Sequence, residues 1–204
     1  MKLLLASDGE FLINQGYALL GIPRTLMHIG YVTTASKGAR STEYVQRHKK
    51  AMEQHGYRYA EIDIENKSEQ MVEHFFRDKN VIHIEGGNTF YLLQAVKRTG
   101  FDKIIKSYVT QGKIYVGTSA GSSIAGPTIG LSSHIPKDAS VEQITALNLV
   151  PFQVVSHFTP EKTNAVRQQI KTTHYTVKIL RDGQGILVED GRYRLVGEGE
   201  EVKL

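Results

Sequence analysis

Short apolar runs alternate along the chain with longer segments whose apolar positions recur every three or four residues. Residues 3–7, 28–33, 57–64, 81–85 and 113–117 form runs of strand length, and they are apolar on both faces. Residues 41–55, 69–77 and 89–98 carry helical spacing, with Met52, Leu92 and Val96 on the inner side; residues 101–111 follow as a further helix. Strand, amphipathic helix, strand in repetition implies parallel pairing through right-handed crossovers. Strands apolar on both faces need helices above and below them. The predicted fold is α/β: a three-layer sandwich around a mainly parallel central sheet, built as one domain over residues 1–204.

Past Ser119 the rhythm changes. Residues 126–148 are rich in Gly, Pro, Ser and Thr and predict a loop-dominated excursion, after which 152–156 reads as another strand. Thr159-Pro160-Glu161 has the form of a helix start, with a hydroxyl cap, a proline at the first helical position and an acid in the first turn. That helix is expected to run to about residue 172. The tail, 176–180, 185–188 and 193–196, reads as small antiparallel strands, the last two joined by a hairpin-type turn at Asp190-Gly191.

Composition narrows the chemistry. The 204 residues include no cysteine and no tryptophan, which removes disulfides, thiolate metal sites and a thiol nucleophile. Covalent catalysis must then come from Ser, Thr, Lys, Tyr, His or a carboxylate. The net charge of +4 is unevenly spread: residues 103–181 hold nine basic side chains against Asp138, Glu142 and Glu161. Such a band could steer an acidic substrate, although solvated helix faces produce the same count. The basic run at 37–50 contains Glu43 and no interleaved aromatic pattern for nucleic acid, so no nucleic-acid partner is expected. The opening apolar run stops at Ser7-Asp8, too short for a secretory leader, and no stretch approaches a membrane span. A cytoplasmic location without a membrane partner is the expectation.

The strongest chemical signal is the passage from 113–117 through Gly117-Thr118-Ser119-Ala120-Gly121 into the small-residue segment 120–125. A sharp strand-to-helix turn pushes a serine hydroxyl out at the carboxyl edge of a sheet, and only small neighbours permit the strained backbone. The helix start behind it supplies free N–H groups and a positive dipole end. The alternative is a glycine-rich anion cradle at a helix start. Ser122 and Ser123 compete as hydroxyls but fall inside the helix. Of the eight histidines, His157 ends the strand 152–156, on the edge where a parallel sheet binds ligands, and is the expected base; His134, in the loop after the elbow, could also approach. No histidine pair has metal-ligand spacing, so neither metal nor cofactor is expected. A second strand-to-helix turn, Glu85-Gly86-Gly87-Asn88-Thr89, has paired glycines that expose backbone N–H groups and an Asn suited to cap the helix after it. The N–H groups of Gly87 and of Ala120 could together form an oxyanion hole.

Gly86-Gly87-Asn88-Thr89-Phe90, Gly117 to Gly121 with Ala125-Gly126-Pro127-Thr128, Ala146-Leu147-Asn148-Leu149 and Ser156-His157-Phe158 resemble, in order and spacing over about residues 3–200, the peptidase E (aspartyl dipeptidase) and cyanophycinase family of serine peptidases. The resemblance implies a class I glutamine-amidotransferase-like fold, with Ser119 as nucleophile and His157 as base. It also implies Gly87 and Ala120 as oxyanion donors, and Asn88, Thr118 and Arg167 are the candidate substrate contacts. Peptidase E carries its triad acid fifteen residues past the serine; that position here is His134. The later segment 180–185 offers Asp182, the expected acid, or Gln184 as a neutral orienter, while Asp138 and Glu142 stand in the loop as further options. Where peptidase E holds an acidic substrate with an Arg, this chain has Asn164, and Arg167 lies one helical turn on. The expected activity is hydrolysis of short peptides, with acidic ones as one option, by a dipeptidase or related exopeptidase. Two rivals remain: a non-catalytic small-molecule binder of the same fold, and a small esterase. The esterase order Ser, acid, His would need a histidine near the end, and the last one here is His174. The oligomeric state stays open, with a homodimer as one option.

Overall fold

The structure, a computed structural model, describes residues 1–39 and 41–204; Arg40, within the basic run 37–50, lies outside the described residues. In chain order the elements are β1 (Lys2–Ala6), α1 (Gly9–Asn14), β2 (His28–Val32), α2 (Glu43–Gln54), β3 (Arg58–Ile62), α3 (Glu69–Phe76), β4 (Val81–Ile84), α4 (Thr89–Arg98), α5 (Phe101–Thr110), β5 (Ile114–Thr118), α6 (Ala120–Ile124), α7 (Val141–Ile144), β6 (Phe152–Val155), α8 (Thr163–Ile170), β7 (Thr176–Ile179), β8 (Gln184–Glu189) and β9 (Arg192–Gly197). A seven-stranded sheet has the order β3-β2-β4-β5-β1-β8-β9. Its first five strands are mutually parallel, and β8 and β9 add antiparallel at the β1 edge.

Alternation along each strand feeds two cores. Leu3, Leu5, Val32, Ile82, Ile84 and Tyr115 face one side, against α3, α4, α5 and α6. Leu4, Ala6, Ile29, Tyr31, Val81 and Val116 face the other, against α1 and α2. Each leucine of β1 is fully buried, worth about 1.5–3 kcal/mol of transfer free energy apiece. Such a run belongs at the centre of a covered sheet, where β1 lies between β5 and β8. The three-layer α/β sandwich with a mainly parallel sheet and antiparallel C-terminal strands is therefore the observed architecture.

Three expectations are corrected. Strand 152–156 is not part of the main sheet: β6 pairs in parallel with β7, and the two form a separate sheet covered by α8 through Phe158, Val166 and Ile179. The segment 176–180 thus leaves the antiparallel tail, which consists of β8 and β9. The helix after Thr159 opens as a 3-10 turn over Pro160–Lys162 and becomes α-helical only at Thr163; the Thr159 side chain makes no capping bond. Residues 9–20, unassigned by periodicity, form α1 and a 3-10 turn, started by Asp8, whose carboxylate accepts the Phe11 N–H at 2.8 Å. Among the described residues no helix is long and apolar enough to cross a membrane.

Candidate active site

The carboxyl ends of β1, β4 and β5 lie side by side, with Leu5 opposite Gly117 and Ile84 opposite Gly117 on its other flank. The chain reverses between β5 and α6 at Ser119, whose φ of 49° and ψ of −103° lie in a region that favours glycine. Its N–H donates to the Ala6 carbonyl at 3.0 Å, which fixes the turn to the end of β1. Gly121 lets α6 pack directly on β4, because a Cβ there would stand 2.1 Å from the Ile84 carbonyl oxygen. The competing hydroxyls are committed elsewhere. Ser122 Oγ is buried and donates to the Ala6 and Gly117 carbonyls; Ser123 Oγ donates to those of Ser119 and Val154.

His157 stands just beyond β6, and its Nε2 lies 2.9 Å from Ser119 Oγ. Its Nδ1 lies 2.7 Å from Asp182 Oδ1. Asp182 precedes β8, which runs antiparallel to β1, so the start of β8 falls at the same edge as the end of β1. Topology thus brings the acid to the serine across 63 residues of sequence. The hydrogen bond from His157 holds the Asp182 carboxyl below the usual carboxylate range, with Ser7 and the Lys162 charge adding to it. An ionised Asp182 accepts a hydrogen bond from the Nδ1–H, which fixes that tautomer and leaves Nε2 free to accept from the Ser119 hydroxyl. His157 has a φ of 57°, and its backbone is pinned from both sides. Its N–H donates to Ser7 Oγ at 2.9 Å, and its carbonyl accepts from Lys162 Nζ at 2.6 Å. Ser7 Oγ in turn donates to Asp182 Oδ1 at 2.8 Å, while Asp8 Oδ2 accepts the Gly183 N–H at 2.7 Å. Ser7 and Asp8 therefore brace both the His157 backbone and the Asp182 turn.

The Gly86-Gly87 turn borders the serine: a Cβ built on Gly86 would stand 3.2 Å from Ser119 Cβ. Among the described residues, neither the Gly87 N–H nor the Ala120 N–H has a hydrogen-bond acceptor. Gly87 has a φ of 139°, and a Cβ there would lie 2.3 Å from the Ala35 carbonyl oxygen. Gly87→Ala is therefore expected to displace this turn and lower kcat by about 10²-fold, the typical cost of one lost oxyanion donor. Steady-state rates beside a thermal melt check it; an Ala variant with the rate of the parent contradicts the placement.

Two cavities meet at Ser119. The smaller, about 220 Å³, includes Thr128, Ser132, Ser156 and Lys162 in its lining. The larger, about 480 Å³, includes Glu10, Tyr44, Arg47 and Glu85. Ser119, His134 and His157 line both. Of the nine basic residues in 103–181, only Lys162 lines either cavity, so the predicted positive band does not converge on the serine. Arg47, whose helix gave no chemical signal in the sequence, is the cation of the larger one.

Several expected contacts sit elsewhere. Thr118 borders the larger cavity, but its side chain is buried and its hydroxyl is committed to Glu85 Oε1 at 2.6 Å. Asn88 Oδ1 caps α4 through the Tyr91 N–H at 2.9 Å and lines neither cavity. Arg167 and Asn164 are exposed on α8, also away from both, because that helix packs on β6–β7 through Val166. Asp138 and Glu142 are exposed and line neither cavity. Gln184 is buried, with Oε1 accepting the Arg181 N–H and Nε2 donating to the Glu198 carbonyl, so it braces the turn that carries Asp182. His134 reaches the amino end of α4, its Nδ1 3.4 Å from the Thr89 nitrogen. Among the described residues no group of three or more His, Asp or Glu is arranged to hold a metal ion.

The chain is similar in sequence and fold to known proteins. A family model described as peptidase family S51 matches residues 21–196. An uncharacterised peptidase of Listeria innocua is 34% identical over 169 residues, covering 79% of this chain and 80% of its own. The peptidase E of a Nostoc species is 29% identical over 181 residues, 83% of this chain and 72% of that one. The crystal structure of a protein from Listeria monocytogenes EGD-e, described as a candidate peptidase E, matches with a TM-score of 0.83 at 27% identity, covering 97% of this chain and 98% of the other.

Proposed function

The chain belongs to peptidase family S51 and is a serine peptidase, and from that premise we propose that it hydrolyses short peptides through an acyl-enzyme on Ser119. Ser119 Oγ attacks the scissile carbonyl as His157 Nε2 takes its proton. Asp182 holds the Nδ1–H and offsets the imidazolium charge. The oxyanion of the tetrahedral intermediate accepts from the Gly87 and Ala120 N–H groups. The imidazolium then protonates the leaving amine, and water, deprotonated by the same imidazole, releases the acyl group as a carboxylic acid.

The observation that carries this reading is the relay itself: Ser119 Oγ to His157 Nε2 at 2.9 Å and His157 Nδ1 to Asp182 Oδ1 at 2.7 Å. A binder that had lost catalysis has no need of a strained serine and an oriented imidazole on one line. The two cavities suit a peptide lying across Ser119, one flanking part in each, and the larger, at about 480 Å³, is within the size usual for small-molecule sites. Lys162 in the smaller cavity offers a counter-charge to one acidic group, so acidic dipeptides belong among the substrates. A panel of dipeptides varied at the first residue, Asp and Glu included, tests this by product formation. Cleavage with faster turnover of acidic members is expected. Equal rates on acidic and neutral members would remove the charge preference, and turnover of a p-nitrophenyl ester but of no peptide would replace the peptide reading with an esterase.

A further inference from the structure

Beneath the Gly86-Gly87 turn lies a carboxylate that the proposed hydrolysis does not use. Glu85 follows β4 and is 1% exposed. Its Oε1 accepts the Gly86 N–H and the Thr118 hydroxyl, both at 2.6 Å. Its Oε2 lies 2.8 Å from His48 Nδ1 and accepts the Tyr31 hydroxyl. Tyr44, on α2 with His48, donates to the Gly86 carbonyl at 2.8 Å, so both polar groups of that peptide residue are held. The remaining neighbour is His83, buried against the Tyr31 ring and bonded through Nδ1 to the Tyr17 hydroxyl at 2.7 Å. Burial pushes the Glu85 carboxyl up, but the His48 hydrogen bond, the nearby His83 and His48, and Thr118 outweigh it and hold the pKa down to about 2.

A buried anion is costly unless fully hydrogen-bonded, and this one stands beside the place where an oxyanion would form. Its charge opposes that oxyanion, so the useful property is its geometry. Gly86 precedes the donor Gly87, and Thr118 precedes Ser119. One oxygen atom, Glu85 Oε1, holds both residues, Gly86 in the turn after β4 and Thr118 at the end of β5.

We propose that Glu85 is a positioning residue that sets the Gly87 donor at its working distance from Ser119, with Thr118 as its link to the nucleophile turn and His48, Tyr31 and Tyr44 as its supports. This rests on Ser119 as the nucleophile and Gly87 as the oxyanion donor. The prediction is a loss in kcat with little change in KM, since the donors act on the transition state more than on bound substrate. Thr118→Val, nearly isosteric, is expected to lower kcat about tenfold and leave KM within about threefold, and Thr118→Ser to recover most of the loss. Glu85→Leu should cost about 10²-fold, and Glu85→Gln, which keeps an acceptor for Gly86 and Thr118, should recover at least tenfold of it.

The test measures kcat and KM on the best dipeptide, together with the rate at which a fluorophosphonate modifies Ser119, for all four variants and the parent. Slower modification in step with kcat supports the proposal. Thr118→Val with the parent's kcat, or a change confined to KM, overturns it, whether or not Glu85→Leu folds. A parent enzyme that is not modified at Ser119 would instead overturn the nucleophile assignment itself, so the two failures are distinguishable.

Discussion

Ser119→Ala is expected to lower peptide hydrolysis by about 10⁴-fold or more and to leave the fold intact. Removing a triad serine typically forfeits most of the acceleration and leaves the residue due to binding and the oxyanion hole. The side chain lost is small, and its Oγ contact is with His157, which other bonds hold in place. A companion variant separates function from packing. Ser119 holds φ 49° and ψ −103°, a conformation that costs a non-glycine residue about 1–3 kcal/mol. Ser119→Gly is therefore expected to be as inactive as Ser119→Ala yet more stable, by about 2–4 °C in Tm for each kcal/mol of strain relieved at this chain length. An anion cradle with no nucleophilic role would give the stability gain without the loss of turnover.

Asp182→Asn is the second large effect, expected to reduce kcat by about 10⁴-fold through the wrong imidazole tautomer while the geometry survives. Its neutral amide would offer Nδ1 an N–H or a weak acceptor in place of a carboxylate. The pH behaviour has a definite sign. Hydrogen bonding from His157 lowers the folded-state pKa of Asp182; a depressed carboxyl contributes stability above its unfolded pKa and loses it as pH falls through the folded value. Asp182 is thus ionised throughout the neutral range. Melting curves of parent and Asp182→Asn at neutral pH and near pH 3 should converge as pH falls; a gap that widens on acidification contradicts the assignment.

The legible parts of this molecule are those that depend on local pattern. Both-face apolar runs such as 3–7 and 81–85 mark covered parallel strands because each strand must satisfy two cores at once. The Gly-x-Ser-x-Gly turn is visible because a strained serine tolerates only small neighbours. Family resemblance, not periodicity, marks Asp182: its place follows from β8 running antiparallel to β1, a pairing that no local signal encodes. A histidine ending 152–156 stands on the edge of Ser119 by topology alone only if that strand joins the main sheet. It pairs with β7 instead, and the histidine still arrives because Ser7 and Lys162 fix its backbone over the end of β1. Thr118 and Asn88 stand next to motifs, and Arg167 lies one helical turn past the position where the family resemblance implies an Arg. Adjacency does not say which way a side chain points, and their partners are Glu85, a helix end and solvent. Ser7 and Asp8 carry no motif because the groups they hold, at His157, Asp182 and Gly183, lie far away in sequence; Glu85 meets Thr118, Tyr31 and His48, and Arg47 reaches the larger cavity, only once the chain is folded.

The central claim is that Ser119 is a nucleophile activated through His157 and Asp182. Incubation of the folded protein with a fluorophosphonate, followed by proteolysis and mass spectrometry, measures it directly. One adduct on the peptide containing Ser119, absent from Ser119→Ala and strongly slowed in Asp182→Asn, is the predicted result. Folded parent protein without an adduct, or with the adduct on Ser122 or Ser123, would contradict it.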